Sequence, residues 1–332
     1  MHRNHLPTDR DPVNETIPIQ QVADDAGATG RAIVDSLGEI LVDMKSVIEQ
    51  VAIAVFAGGH VLLEGVPGTA KTTLCRNLGT VLGLQFRRIQ FTPDLLPTDV
   101  TGTKILNRET SRFELQTGPV FCQLLLADEL NRAPARTQSA LLEAMQERQV
   151  TIEGESLPLP GPFVVLATQN PIEQEGVYRL PEAQLDRFMF RVRVGYPDRE
   201  NEIDLLDKPV NNDMAVSRIC TADKVLRLQG MVDSVRFCGE LKEYVVDLIR
   251  GSRQHPDVLL GGSPRAGMYL VRAARARALL RGQSFCTHQD VQAVMPAVLE
   301  HRIIIRPESE LSGRSVEEVV QEILQTVPVR EA

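Results

Sequence analysis

Apolar positions along the first two thirds of the chain fall into two alternating patterns. Val61-Leu62-Leu63 and the runs at 121–127 and 163–168 are of strand length, almost wholly apolar, and followed by polar or turn-forming residues. That is the pattern of strands buried on both faces. The segment 85–91 alternates enough to be another strand, and 188–194 reads as a last one. Between them lie stretches with apolar residues at helical spacing: Leu74, Leu78, Val81 and Leu82 within 73–82, and Leu141, Leu142 and Met145 within 135–148. A short helix is predicted at 181–186. Upstream, Ile33, Leu37, Ile40 and Leu41 predict helix across 31–56, broken near Val42-Asp43 and ended by Gly58-Gly59. Repeated buried strands joined by helices predict an α/β fold with a parallel sheet flanked by helices. Two stretches, 102–118 and 150–157, read as hairpins. The prolines of 92–99 break any ladder, so that segment is expected to be irregular.

Beyond Tyr196-Pro197 the strand pattern gives way. A helix at 198–206 and a polar, proline-containing connector at 207–213 lead to helical periodicity at 221–235, 239–252, 264–280 and 287–301. Thr287 and Asp290 are spaced as a capping box for the last of these. A short strand at 303–305 and a helix near 316–324 close the chain. The expected organisation is a flexible N-terminal tail at 1–30, an α/β core at 31–206, and a small all-helical lid domain with a C-terminal helix at 207–332.

Composition narrows the class without naming it. At 332 residues, 43% hydrophobic and 24% charged, the chain has ordinary soluble globular usage. Its longest apolar run, 51–57, is far short of the ~18–20 residues that span a bilayer, so no membrane insertion is expected. The first residues carry no apolar signal segment. Cys75, Cys122, Cys220, Cys238 and Cys286 are scattered, with no C-x-x-C pair. Both features fit a cytoplasmic location, with most thiols packed as small apolar groups. A net charge of −8 and the absence of Trp argue against nucleic acid as the main partner.

The candidate chemistry gathers where strands end. Val61-Leu62-Leu63 runs into Glu64, then Gly65-Val66-Pro67-Gly68-Thr69-Ala70-Lys71-Thr72-Thr73, and a helix follows. Strand, glycine-bearing loop and helix are what a phosphate-binding loop needs, because backbone N–H groups and the helix N-terminus wrap an anionic chain. Lys71 would reach the outer phosphates of a bound nucleoside triphosphate, and the Thr72 hydroxyl would hold Mg²⁺. Ala70 departs from the general pattern, which has glycine before the lysine. Asp128-Glu129 closes the apolar run at 121–127 and divides into a metal-binding acid and a water-activating base. Asn170, at the tip of the strand at 163–168, is placed to orient that water, although Asn-Pro also favours a plain turn. Arg187 is either a charge partner for Asp186 or an arginine finger entering a neighbour's site. Arg265 lies in the first turn of a helix, where the dipole disfavours a cation; an anionic partner would account for it, and a plain surface arginine is the alternative.

The order of these residues resembles that of AAA+ ATPases, and the wording around them resembles the MoxR family, of the helix-two-insert clade. The resemblance rests on 59–68, Phe91-Thr92-Pro93-Asp94-Leu95-Leu96-Pro97, Asp128-Glu129-Leu130-Asn131-Arg132-Ala133-Pro134, 137–147, Ala167-Thr168-Gln169-Asn170-Pro171 and 180–188. It covers about residues 31–305, and Ala70 is a usual residue in that family. It implies a ring, usually a hexamer, that hydrolyses ATP with Mg²⁺ to remodel, mature or activate a protein client, often one with a von Willebrand factor A domain. Lys71, Thr72, Asp128, Glu129 and Asn170 would act within one subunit and Arg187 across the interface. Arg265 would be a second sensor, in cis or in trans. The hairpins at 102–118 and 150–157 would face the pore. Three departures stand out: Val42-Asp43-Met44 near the expected adenine position, Arg179 where proline is common, and the tail at 1–30. The alternatives within the same motor class are a magnesium-chelatase-like subunit and a DNA-translocating ring. A scaffold that binds ATP without hydrolysing it is disfavoured by intact Glu129 and Arg187.

Overall fold

The computed structural model describes residues 18–171, 178–206 and 216–329. The connector expected at 207–213 and the first 17 residues of the expected tail lie outside them. The rest of that tail is a correction. Helix α1 (Ile19–Gly38) begins well before residue 31 and buries Val22, Ala23, Ala26 and Gly27. Its buried face is largely alanine and glycine, which carries little hydropathy signal but permits close packing. A Cβ on Gly27 would sit 2.8 Å from the Gly282 backbone. After the break come α2 (Lys45–Phe56) and β1 (Val61–Glu64).

The core continues through α3 (Lys71–Leu82), β2 (Phe86–Gln90) and α4 (Pro97–Thr101). Helix α4 lies in the segment expected to be irregular. Pro97 takes the first helical position, where a missing N–H is tolerated, and the Asp99 carboxylate accepts the Leu96 N–H at 2.8 Å. The two expected hairpins are β3 (Gly102–Asn107) with β4 (Arg112–Thr117), and, beyond β5 (Leu124–Asp128) and α5 (Ala135–Glu147), β6 (Gln149–Ile152) with β7 (Glu155–Pro158). Then come β8 (Val164–Gln169), α6 (Glu182–Leu185), β9 (Phe190–Arg193) and α7 (Arg199–Leu206).

Among the described residues the main sheet has five strands, ordered β2-β5-β8-β1-β9 and all parallel. Successive β5 residues serve opposite faces: Leu124 and Leu126 pack with Leu74, Leu78 and α2, while Leu125 and Ala127 pack with Leu141 and Leu142. Covering on both faces is why the strand reads as an unbroken apolar run. Because the strands are parallel, every C-terminal end lies on one edge of the sheet.

The lid comprises α8 (Ala222–Met231), α9 (Gly239–Gln254), β10 (Val258–Leu260), α10 (Pro264–Leu280), α11 (His288–Leu299), β11 (Ile304–Ile305), α12 (Pro307–Leu311) and α13 (Val316–Thr326). It is not purely helical, since β10 and β11 form an antiparallel ribbon; three residues of β10 are too few to show a period. The Thr287–Asp290 capping box forms as expected. Arg302, almost wholly buried, fastens the lid to the core. It donates to Asp186 Oδ1 at 2.7 Å, to the Asp186 carbonyl at 3.1 Å and to the Phe188 carbonyl at 2.6 Å. Arg272 adds a bond to the Ala57 carbonyl at 2.5 Å. Of the five cysteines, only Cys238 is exposed and all are free. No helix of the described residues is long and apolar enough to cross a membrane.

Candidate nucleotide site

The end of β1 turns directly into the phosphate loop, and backbone geometry accounts for its small residues. A Cβ on Gly65 would meet the Val194 carbonyl at 2.4 Å, and Gly68 has φ +85°. Ala70 also holds a left-handed conformation, φ 55°, at the start of α3. The Thr69 hydroxyl closes the loop on the Val66 carbonyl at 2.9 Å. Lys71 Nζ donates to the Gly65 and Val66 carbonyls at 2.8 and 2.6 Å and to Thr69 Oγ1 at 3.2 Å. Burial lowers its pKa, against the opposing pull of Asp128 and Glu129.

Asp128 is the last residue of β5 and is 8% exposed. Its Oδ1 accepts the Thr168 hydroxyl at 2.6 Å, and its Oδ2 accepts Arg88 Nε at 3.0 Å and a terminal Arg88 nitrogen at 2.7 Å. Glu129 leaves the strand with φ 55°, and its N–H donates to Thr168 Oγ1 at 2.8 Å. Its Oε2 takes Gln90 Nε2 at 2.7 Å and pairs with Arg132 Nε at 3.1 Å. Thr168, Arg88, Gln90 and Arg132 were not singled out from sequence. Arg88 and Gln90 carried a usable signal, since positions two apart on a strand share a face, and Gln90 stands opposite Asp128 in the ladder.

Lys71, Thr72, Asp128, Glu129 and Asn170 line one cavity of about 470 Å³. A hydroxyl beside a carboxylate is a hard-oxygen donor set of the kind that suits Mg²⁺. A neighbouring cavity of about 710 Å³ shares Thr69, Ala70 and Thr73, and is walled by Leu41, Met44 and Ile203. The site therefore has a polar end and an apolar end on either side of one loop.

Arg187 and Arg265 lie elsewhere. Phe190, the first residue of β9, pairs with Val61, and Arg193 with Glu64. Arg187 thus precedes the N-terminal end of β9, at the edge of the sheet opposite the phosphate loop. Asp186 pairs with Arg302 at 2.7 Å, and among the described residues no ion pair joins it to Arg187. Arg265 is exposed in the first turn of α10, whose N-cap Ser263 donates to the Asp186 carboxylate at 3.3 and 3.4 Å. Both arginines therefore belong to one edge of the molecule, and the loop with its carboxylates to the other. Arg179 is exposed.

Residues 60–190 match the family model described as the ATPase family associated with various cellular activities (AAA), and residues 250–323 match the AAA lid domain. The chain is 44% identical over 305 residues to the uncharacterized protein YeaC of Bacillus subtilis, spanning 90% of this chain and 94% of that one. It is also 44% identical over 297 residues to the chaperone MoxR1 of Mycobacterium tuberculosis, at 87% and 79% of the two chains. A crystal structure of a Cytophaga hutchinsonii protein superposes with a TM-score of 0.87 at 39% identity, over 94% of this chain and 98% of that one.

Proposed function

The chain belongs to the MoxR family of AAA+ ATPases, and from that premise we propose that it hydrolyses ATP with Mg²⁺ in a ring of its own copies, a hexamer, to remodel, mature or activate a protein client. The observation that carries this reading is the division of polar groups between two edges of one sheet. Lys71, Thr72, Asp128, Glu129 and Asn170 share a cavity at the C-terminal edge, while Arg187 and Arg265 belong to the edge around the N-terminus of β9.

ATP enters with its base toward the apolar wall of Leu41 and Met44 and its triphosphate along the loop. Lys71 then exchanges its carbonyl partners for phosphate oxygens. Thr72 and Asp128 would hold Mg²⁺, which when bound draws charge from the β- and γ-phosphates. Glu129 takes a proton from the attacking water, and Asn170 orients that water in line with the leaving oxygen. The products are ADP and phosphate. Placement of the arginines at the opposite edge supports a site shared between subunits. Both act on the ATP of the adjoining subunit, Arg187 as the finger and Arg265 as a sensor in trans. Head-to-tail contact of this kind closes into a ring.

The client is a protein, with von Willebrand factor A domains among the candidates, and the location is the cytoplasm. A relative named as a chaperone at 44% identity supports the client class. Light scattering in the presence of ATP, run beside a phosphate-release assay, tests the reading. Assemblies of defined size with steady phosphate release are expected, and a monomer that releases none contradicts it.

A further inference from the structure

We infer that Arg88 sets the metal affinity of this site by occupying the Asp128 oxygen that Mg²⁺, directly or through a water, must engage. The inference rests on the Mg²⁺–ATP reading above. Both oxygens of Asp128 are committed, Oδ1 to Thr168 and Oδ2 to Arg88. Arg88 fills both acceptor positions of Oδ2 while Thr168 takes one of the two on Oδ1, so a metal engaging Oδ2 displaces Arg88 and one engaging Oδ1 sits beside its charge.

The two partners are unequal. Thr168 is 1% exposed and its hydroxyl oxygen also accepts the Glu129 N–H, so its departure would strand a buried donor. Arg88 has a half-exposed side chain, 47%, and one of its nitrogens already donates to Gln90 Oε1 at 2.8 Å. Its guanidinium can withdraw toward Gln90 and water without leaving any buried group unpaired. Oδ2 is thus the oxygen that becomes free. A guanidinium and a divalent cation cannot share it, because both are cations needing the same lone pairs. The apparent metal affinity is then the intrinsic affinity reduced by the fraction of chains in which Arg88 has let go.

The arrangement also ties the two carboxylates to one strand. Arg88 and Gln90 sit two residues apart on β2, and Gln90 holds Glu129 Oε2. Gln90 accepts Arg88 through Oε1 and donates to Glu129 through Nε2, so Glu129 stays held when Arg88 withdraws.

The test uses the full-length chain and a fluorescent ATP analogue, with Mg²⁺ titrated and nucleotide binding as the readout. Arg88→Gln is expected to lower the Mg²⁺ midpoint roughly three- to tenfold, the range expected when a half-exposed, two-donor ion pair is lost. Affinity in EDTA should change less than about twofold. Arg88→Lys, which keeps the charge but loses the two-donor grip, should fall between. Arg87→Ala removes the same charge from the other face of β2 and should leave the midpoint within about twofold. An unchanged or raised midpoint in Arg88→Gln overturns the inference, as does an equal shift in Arg87→Ala. If Arg88→Gln does not fold, the Lys variant decides by the same criterion. A parent chain that binds no nucleotide at any Mg²⁺ level removes the site reading itself; a normal parent with an unshifted Arg88→Gln removes only the role given to Arg88.

Discussion

Replacing Thr168 by valine removes one hydroxyl while keeping the shape of a β-branched side chain suited to a strand. The structure allows the consequence to be worked out. Thr168 is 1% exposed, donates to Asp128 Oδ1 at 2.6 Å and accepts the Glu129 N–H at 2.8 Å. The valine variant strands a buried N–H, at about 1–3 kcal/mol, and deprives a carboxylate of a charge-assisted bond of about 1.5–3 kcal/mol. Arg88 still holds the other oxygen of Asp128, so the lower half of the range applies, about 3 kcal/mol in all. The same hydroxyl fixes the left-handed turn that aims Glu129. Its loss should therefore slow turnover roughly 10- to 100-fold, as small misplacements of catalytic groups do, with a much smaller effect on ATP binding. Urea unfolding reads the first effect as a lower midpoint at unchanged slope, and steady-state phosphate release beside nucleotide binding reads the second. Thr168→Ser keeps the hydroxyl and should retain most of both properties. Stability within about 0.5 kcal/mol of the parent, together with unchanged turnover, would refute the reasoning.

Four further outcomes are expected. His60 is buried, accepts the Val165 N–H at 3.0 Å and contacts the Met145 carbonyl at 3.1 Å; burial chiefly lowers its pKa to about 4. The unfolded chain therefore binds the extra proton first. Stability is complete above about pH 6.5 and lost as pH falls toward 4, by about 3 kcal/mol from this residue. Buried His301 pulls in the same direction; urea midpoints that match at pH 7.5 and pH 5 would exclude this. Ala70→Gly relaxes a left-handed alanine worth about 1 kcal/mol and should bind nucleotide as the parent does, so a tenfold weaker affinity would mean the methyl group has a role of its own. Arg302→Ala leaves the Asp186 carboxylate and four backbone carbonyls without their buried cation and should cost about 3–5 kcal/mol, seen as faster hydrogen exchange across the lid–core contact. Lys71→Ala should abolish binding of the fluorescent nucleotide, and retention of near-parent affinity would displace Lys71 from the phosphate site.

What could be read from sequence was local. The phosphate loop, Asp128-Glu129 and Asn170 each follow an apolar strand, and a parallel sheet carries all three to one edge by necessity. The hairpins and the α11 cap were legible for the same reason, since each is set within a few residues. The edge to which Arg187 belongs depends on the pairing of β9 with β1, a contact across more than a hundred residues. That Arg302 of the lid takes Asp186 is likewise a long-range contact, which residue spacing around Arg187 does not show. Thr168 escaped notice because a threonine in a buried strand looks like filler until its two partners are placed beside it. The first part of α1, residues 19–30, was missed because glycine and alanine make a packing face without making a hydrophobic one.

The most direct test of the account is subunit mixing. Arg187→Ala and Glu129→Gln chains should each form rings with little phosphate release. In a one-to-one mixture, about a quarter of the interfaces of a head-to-tail ring join an intact Glu129 to an intact Arg187. The account predicts recovery of phosphate release to about that fraction of the parent rate. Full activity of Arg187→Ala alone, or no recovery at any mixing ratio, would contradict a site completed by the neighbouring subunit.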